Sequence, residues 1–175
     1  MGSKRVWIGG VSLYLLGAVA GWAASKVKID ASAYSGKAPA AAAAALLQTA
    51  QTLAEDGSFE NIAVGRVHYL SGHQAEGQAL FDRYLGAKAK SGDYMRVARI
   101  YLEAKQWDKA KPILDKVVAL DPKDEDFLAE VGVYYNLHGD RAHAEELFAQ
   151  SLAQDPANLY NSLKMAGSYL GVPPG

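Results

Sequence analysis

Two consecutive segments of the chain, residues 91–124 and 125–158, superpose without a gap at a period of 34 residues. Pro122 and Pro156 fall at the same phase, and each is preceded by Asp. Other positions match in size: Ala98 with Gly132, Tyr101 with Tyr135, Ala110 with Ala144, Leu114 with Phe148, and Val118 with Leu152. A period of this length is typical of repeat proteins, in which each short unit buries its apolar face against its neighbours.

This pattern resembles the tetratricopeptide repeat, a 34-residue helix–turn–helix unit with small and aromatic residues at fixed positions and a closing Pro. The third unit carries the pattern as Leu128, Val131-Gly132, Tyr135, Ala144, Phe148 and Pro156. The second carries it as Tyr94, Val97-Ala98, Tyr101, Ala110, Leu114 and Pro122. A weaker first unit begins near Ser58, with Val64-Gly65, His68, Gly77, Phe81 and Tyr84, and Ala89 replaces its closing Pro.

The resemblance covers roughly residues 40–171 and implies an all-α solenoid of about three units plus flanking helices. An alanine-rich stretch after Pro39 fits the second helix of a degenerate earlier unit, and Met165, Ala166 and Tyr169 fit the first helix of a fourth. We therefore assign residues 39–171 to the repeat domain and residues 172–175 to a tail.

The small residues have a physical reason that does not depend on the resemblance. Gly132 and Ala98 are small because the two helices of one unit cross closely there, and large residues such as Phe148 and Leu114 fill the neighbouring space. Gly139-Asp140 predicts the tight turn between the paired helices. The acidic loop at residues 121–126 lacks the spacing of a calcium loop and predicts helix capping.

A separate feature precedes the repeats. Residues 6–24 contain no charge and, as a helix, would span roughly 28 Å, close to the thickness of a bilayer core. Trp7 and Trp22 lie near its two ends, where amphipathic rings prefer the membrane interface. We predict a transmembrane anchor within residues 1–25. The alternative is a secretory signal peptide, because Ala18-Val19-Ala20 has the small-residue form of a cleavage site.

Small residues recur on one side of this predicted helix. Gly10, Gly17 and Gly21 would allow another membrane helix to approach closely, although glycine is also common in such segments. Lys4 and Arg5 favour a cytoplasmic start, which would place the repeats in the periplasm beyond a single-pass bacterial inner-membrane helix. Residues 26–38 are small, polar and aperiodic, which indicates a linker.

Composition narrows the function. The chain has no Cys, so it has no disulfides, Cys-ligated metal or thiol nucleophile, and its formal net charge of -1 argues against nucleic-acid binding. His68 and His73, like His138 and His143, are five residues apart, which does not place both rings on one helix face. We expect no metal, no cofactor and no enzymatic activity, because no catalytic motif is present.

In solenoids of this family the first helices of the units form a concave surface that binds a peptide or helix. The residues predicted to face it are Ile62, Arg66, Tyr69, Met95, Arg96, Arg99, Leu102, Val133, Asn136 and Leu137. Three arginines beside apolar residues could bind an acidic peptide or a chain terminus. Alternatively, they pair with Glu60, Glu76 or Glu103 and only solvate this face.

Two functions follow as hypotheses. The first is a membrane-anchored module for protein–protein interaction that acts as a scaffold or assembly factor. The second is a permanent accessory subunit of a membrane enzyme complex, in which the anchor packs against other transmembrane helices. Both predict a protein partner and contact with the lipid bilayer.

Overall fold

The computed structural model describes residues 27–174, and over that range the chain is all-α: eight α-helices, one short 3-10 helix and no strand. The expected helical class is confirmed. The predicted anchor, with Trp7, Trp22 and the three glycines of its packing face, lies outside the described residues. The helices are α1 Pro39–Ala54, α2 Ser58–Leu70, α3 Gln74–Tyr84, α4 Ser91–Glu103, α5 Trp107–Leu120, α6 Glu125–Leu137, α7 Arg141–Gln154 and α8 Leu159–Tyr169.

Local signals in the sequence set several helix ends. Helix α1 begins at Pro39, whose missing N–H needs no partner in the first turn. The carboxylate of Asp124 accepts a hydrogen bond from the backbone N–H of Phe127 at 2.8 Å, so the acidic loop caps α6 as predicted. Between α6 and α7, Gly139 has a φ of 91°, a backbone conformation that glycine adopts without strain. Helix α8 is capped by Asn158, which accepts from Asn161 N–H at 3.0 Å.

Six of the helices form three antiparallel pairs, α2–α3, α4–α5 and α6–α7, which correspond to the first, second and third units of the sequence. At Gly65 an added Cβ would lie 2.7 Å from Cε1 of Phe81, and at Gly77 one would lie 2.7 Å from Cβ of Tyr69. The third pair is equally close, because a Cβ at Gly132 would lie 2.7 Å from Cε1 of Phe148. The expected close crossing at Gly132 is therefore present.

At each helix crossing, a smaller residue on one helix faces a larger residue on the other. Gly65 faces Phe81 in the first pair and Gly132 faces Phe148 in the third. In the second pair the equivalent positions hold Ala98 and Leu114, both fully buried. A larger residue on one helix thus accompanies a smaller one on the other, which keeps the interior filled.

Tyrosines connect one pair to the next. The Tyr101 ring on α4 lies edge-on to Phe81 of α3 with the ring centroids 5.9 Å apart, and its hydroxyl donates to Gln78 at 2.9 Å. At the equivalent position on α6, Tyr135 lies edge-on to Trp107 of α5 at 5.4 Å and hydrogen-bonds Asp115. These contacts join the units through their second helices.

The flanking segments are structured as well. In the predicted linker, Ala31–Ala33 form a 3-10 helix that Asp30 caps by accepting from Ser32 N–H at 2.7 Å. Helix α1 packs on α2, and α8 packs on α6. None of the helices between residues 27 and 174 combines the length and the apolar composition that crossing a bilayer requires.

Candidate partner-binding surface

A groove runs between α2 and α4, the first helices of the first two units. It encloses about 360 Å³ and brings together Arg66, Arg96 and Arg99, the three arginines that the sequence predicts to converge. Ile62 and Ile100, which are buried, form its floor, and the exposed ring of Phe59 forms part of its wall. The groove therefore combines a small apolar base with charged sides.

Two of the arginines bind carboxylates of the neighbouring helix. Arg66 on α2 makes a bidentate ion pair with Glu103 on α4, and both side chains are about half exposed. Arg99 on α4 donates to both oxygens of Glu130 on α6, at 2.6 and 2.5 Å. These hydrogen bonds raise the pKa of the Arg99 guanidinium above its ordinary value.

The two pairs differ in the burial of their acidic partner. The Glu130 side chain is only 7% exposed, whereas that of Glu103 is 46% exposed. Tyr134 supports Glu130 from the same helix by donating its hydroxyl to Oε1 at 3.3 Å. Burial, reinforced by the Glu130 charge, raises the pKa of Tyr134 and keeps this donor protonated. The Arg99–Glu130 pair is thus part of the structure that joins the second and third units.

Arg96 is placed differently from the other two arginines. Its guanidinium carbon lies 4.4 Å above the centroid of the Phe59 ring, a cation–π arrangement across α2 and α4. Its one carboxylate contact in the described part of the chain is Asp93, at 3.4 Å. Asp93 is itself occupied, since it also accepts from the Ser58 hydroxyl at 2.9 Å and from Lys90 N–H at 3.1 Å. Arg96 is therefore the arginine best able to bind an additional anionic group.

Beyond Arg96 the groove opens into a wider cleft of about 900 Å³. This cleft shares Phe59 and Arg96 with the groove and extends along the loop that precedes α4. Its walls carry both signs of charge: Lys88, Lys90, Arg83, Asp56, Asp93, Asp121 and Asp124. A peptide that extended from the groove into this cleft would meet side chains of both signs of charge.

Four residues predicted to face the partner are buried instead. Tyr69 packs against Phe81 and Tyr101, with its hydroxyl bonded to Gln106 at 2.5 Å, so it fills the interior between the first two units. Met95 and Val133 lie in the core cluster of the second and third units. Ile62 is also buried, but it forms part of the groove floor, and it is the one residue of these four that lines the groove.

The remaining predicted residues occupy intermediate positions. Leu102 and Leu137 are half-buried against the core. Asn136 donates its side-chain N–H to the Ser168 hydroxyl at 2.8 Å, which ties α6 to α8. The structure thus divides the predicted set into a surface part around the arginines and a structural part beneath it.

The sequence-based prediction did not include Phe59, which is part of this surface. Phe59 is 55% exposed at the start of α2, and an exposed aromatic residue beside a predicted groove was the available signal. Glu130 was predicted from the sequence to lie on the concave face, but its pairing with Arg99 could not be read from spacing alone. Of the suggested acidic partners, only Glu103 pairs with one of these arginines in the described residues.

The described part of the chain contains no group of three His, Asp or Glu residues arranged to hold a metal ion. No protein-family model matches the chain, and no curated protein or solved structure is significantly similar to it. The groove and the 34-residue sequence pattern are therefore the features that bear on the function of this protein.

Proposed function

We propose that this chain is a tetratricopeptide-repeat interaction module that holds a protein partner at a membrane surface, as a scaffold or assembly factor. The 34-residue period, the small residues at each helix crossing and the Asp-Pro pairs support the repeat class. The uncharged segment at residues 6–24 supports a membrane anchor. The basic residues before it favour a bacterial inner-membrane protein whose repeats face the periplasm.

The groove between α2 and α4 is the observation that carries this proposal. It offers an apolar floor, an exposed aromatic ring and a guanidinium group within one cavity. Aromatic residues and arginine are the residue types enriched where proteins bind one another most strongly. No catalytic role is proposed, because the groups that line the groove suit recognition.

The groove also defines the chemistry of the partner. Because Arg66 and Arg99 already bind Glu103 and Glu130, a partner gains little by competing for them. Arg96 can pair with an acidic group, and the space above Ile62 and Ile100 can receive an apolar side chain. The partner is therefore a peptide or helix that presents an acidic residue close to an apolar one.

Site-specific photo-crosslinking in cells tests this proposal. A benzophenone amino acid that replaces Phe59 should give a discrete adduct with one protein, and the same group at Leu120, exposed on α5, should not. Arg96→Glu should abolish the adduct because it reverses the charge in the groove. Lys116→Glu on α5 makes the same charge change elsewhere and should leave the adduct intact.

Two results would contradict the proposal. If Phe59 gives no adduct, or if Lys116→Glu reduces the adduct as much as Arg96→Glu, the groove is not the binding surface. A stoichiometric complex that withstands detergent and high salt would instead favour the accessory-subunit hypothesis. In that case the partner would be a membrane enzyme that retains this chain permanently.

A further inference from the structure

The first helices share a stripe of residues that faces the next first helix along the chain. In α2, α4 and α6 this stripe starts with Ile62, Met95 and Ala129, which are spaced by one repeat and are each at most 1% exposed. Hydrogen bonds from the same stripes reach the next first helix: Arg66 to Glu103, Arg99 to Glu130 and Asn136 to Ser168. The stripe is therefore the surface through which one first helix packs on the next.

Helix α8 carries the same stripe. In the described structure, Val172 of the C-terminal tail packs on it at Gly167, and the rest of the stripe is exposed. Leu163 is the equivalent of Ala129 and is 58% exposed. Leu170, the C-cap residue that follows α8, is the equivalent of Asn136 and is 81% exposed. Leu159 and Tyr160 extend the face by one turn, at 63% and 74% exposure. These positions share one side of a helix with 3.6 residues per turn, opposite the buried Asn161 and Met165.

A contiguous apolar face that is exposed to water is typical of a surface that another protein covers. We propose that α8 is a dimerisation surface, on which the α8 of a second copy of this chain packs antiparallel about a two-fold axis near residue 165. Two copies would thus continue the packing that α6 and α8 already make within one chain.

The shape of the face suits a second copy. Gly167 lies one turn after Leu163, and both line a recess of about 290 Å³ together with Tyr160, Val172 and Pro173. Val172 packs over Gly167 itself, because a Cβ added there would lie 3.6 Å from Cβ of Val172. In an antiparallel pair centred near residue 165, Leu163 of each copy would lie opposite this recess in the other copy. A protruding side chain and a recess on one face are what a symmetric interface requires, because each copy presents the same surface.

Charge and area are also compatible with a symmetric pair. The face has no acidic residue, and Lys164 at its edge points to Asn161 and Asp126 of its own chain, at 3.1 and 3.8 Å. The exposed parts of Leu159, Tyr160, Leu163, Leu170 and Val172 amount to roughly 600 Å² per copy. A pair that covered them completely would bury about 1,200 Å², the lower limit of specific interfaces.

Because the chain has no Cys, a single introduced Cys reports this contact in the full-length protein in its native membrane. With a short bismaleimide crosslinker, Ala166→Cys on the α8 face should give a product with the intact mass of two identical chains. Ala149→Cys, at an exposed position on α7, is the matched control for non-specific proximity and should give none. This comparison also separates contact through α8 from association through the N-terminal segment alone.

A charge variant tests the face itself. Leu163→Asp in the Ala166→Cys background should lower the crosslinked fraction by about tenfold or more, because two unpaired carboxylates would be buried in the contact. Leu120→Asp places the same change on α5 and should leave the crosslinked fraction unchanged, and the helical melt should confirm that both variants fold. The proposal is overturned if Ala166→Cys gives no homodimer, if it crosslinks to a different protein, or if both Asp variants behave alike.

Discussion

Arg99 and Glu130 form a bidentate ion pair, at 2.6 and 2.5 Å, between two helices that are not consecutive in the chain. Arg66 and Glu103 form the same kind of pair between α2 and α4, whereas Arg99 and Glu130 join α4 to α6. The two pairs have matching geometry and differ mainly in the burial of the carboxylate. They therefore allow the effect of burial to be measured separately from the effect of pairing.

Removing the buried pair's cation should destabilise the protein. Arg99→Ala leaves the Glu130 carboxylate buried with only Tyr134 as a donor, so we expect the free energy of unfolding to fall by about 1–3 kcal/mol. Arg66→Ala leaves an exposed carboxylate and should lower it by only about 0–1 kcal/mol. Urea titration followed by circular dichroism measures both values, and equal losses would show that the burial of Glu130 does not matter.

The helix crossing in the third unit should not accept a large side chain. Gly132→Leu forces atoms into the Phe148 ring, and we expect a loss of about 2–4 kcal/mol in the free energy of unfolding. Gly132→Ala should also destabilise, and adding Phe148→Leu should recover part of the loss, because the second unit has Ala98 and Leu114 at these positions. Thermal melts compare the three variants. An unchanged melt for Gly132→Leu would contradict the assigned crossing.

The stability of the protein should fall steeply above pH 10. The raised pKa of Tyr134 means that the folded protein keeps this proton while the unfolded chain, with an ordinary pKa of 10.0, releases it. The contribution of protonated Tyr134 to the free energy of unfolding is therefore complete below pH 10 and is lost as the pH rises further. Tyr134→Phe should reduce the slope of the free energy of unfolding against pH in this range. An unaltered slope would assign the alkaline loss to other tyrosines.

Two neighbouring aspartates should differ in their contribution to stability. Asp124→Ala removes the cap of α6 and should lower the free energy of unfolding by about 0.5–2 kcal/mol. Asp126→Ala, two residues later, removes an exposed carboxylate whose nearest cation is Lys164 at 3.8 Å and should have little effect. Chemical denaturation of both variants tests this, and similar losses would mean that capping is not the reason.

The repeating features of the fold could be predicted because each depends on residues at fixed spacing. Gly132, Ala98 and their large partners identify the helix crossings, and Gly139-Asp140 identifies a turn, since backbone geometry restricts which residues fit there. The first unit was predicted less well. The pattern aligned His68 with Tyr101, yet it is Tyr69 that is buried between Phe81 and Tyr101.

The details of the groove could not be predicted in the same way. Arg66 is 37 positions from Glu103, and Arg99 is 31 positions from Glu130, so neither separation equals the repeat period. Which acid meets which arginine depends on how far one helix is shifted along the next, and this shift results from packing. The burial of Tyr69 and Met95 has the same origin, since a first helix is in contact on more than one side.

The ion pairs also have a consequence for the speed of recognition. Sliding α2 along α4, the two walls of the groove, would break both hydrogen bonds between Arg66 and Glu103 at once. Sliding α4 along α6 would likewise break both hydrogen bonds between Arg99 and Glu130. The distance between the walls is therefore set before any ligand arrives. A peptide of complementary shape would bind to a groove that is already formed, so this protein would lose little conformational entropy on binding. Association would then take place in a single step, without a preceding rearrangement.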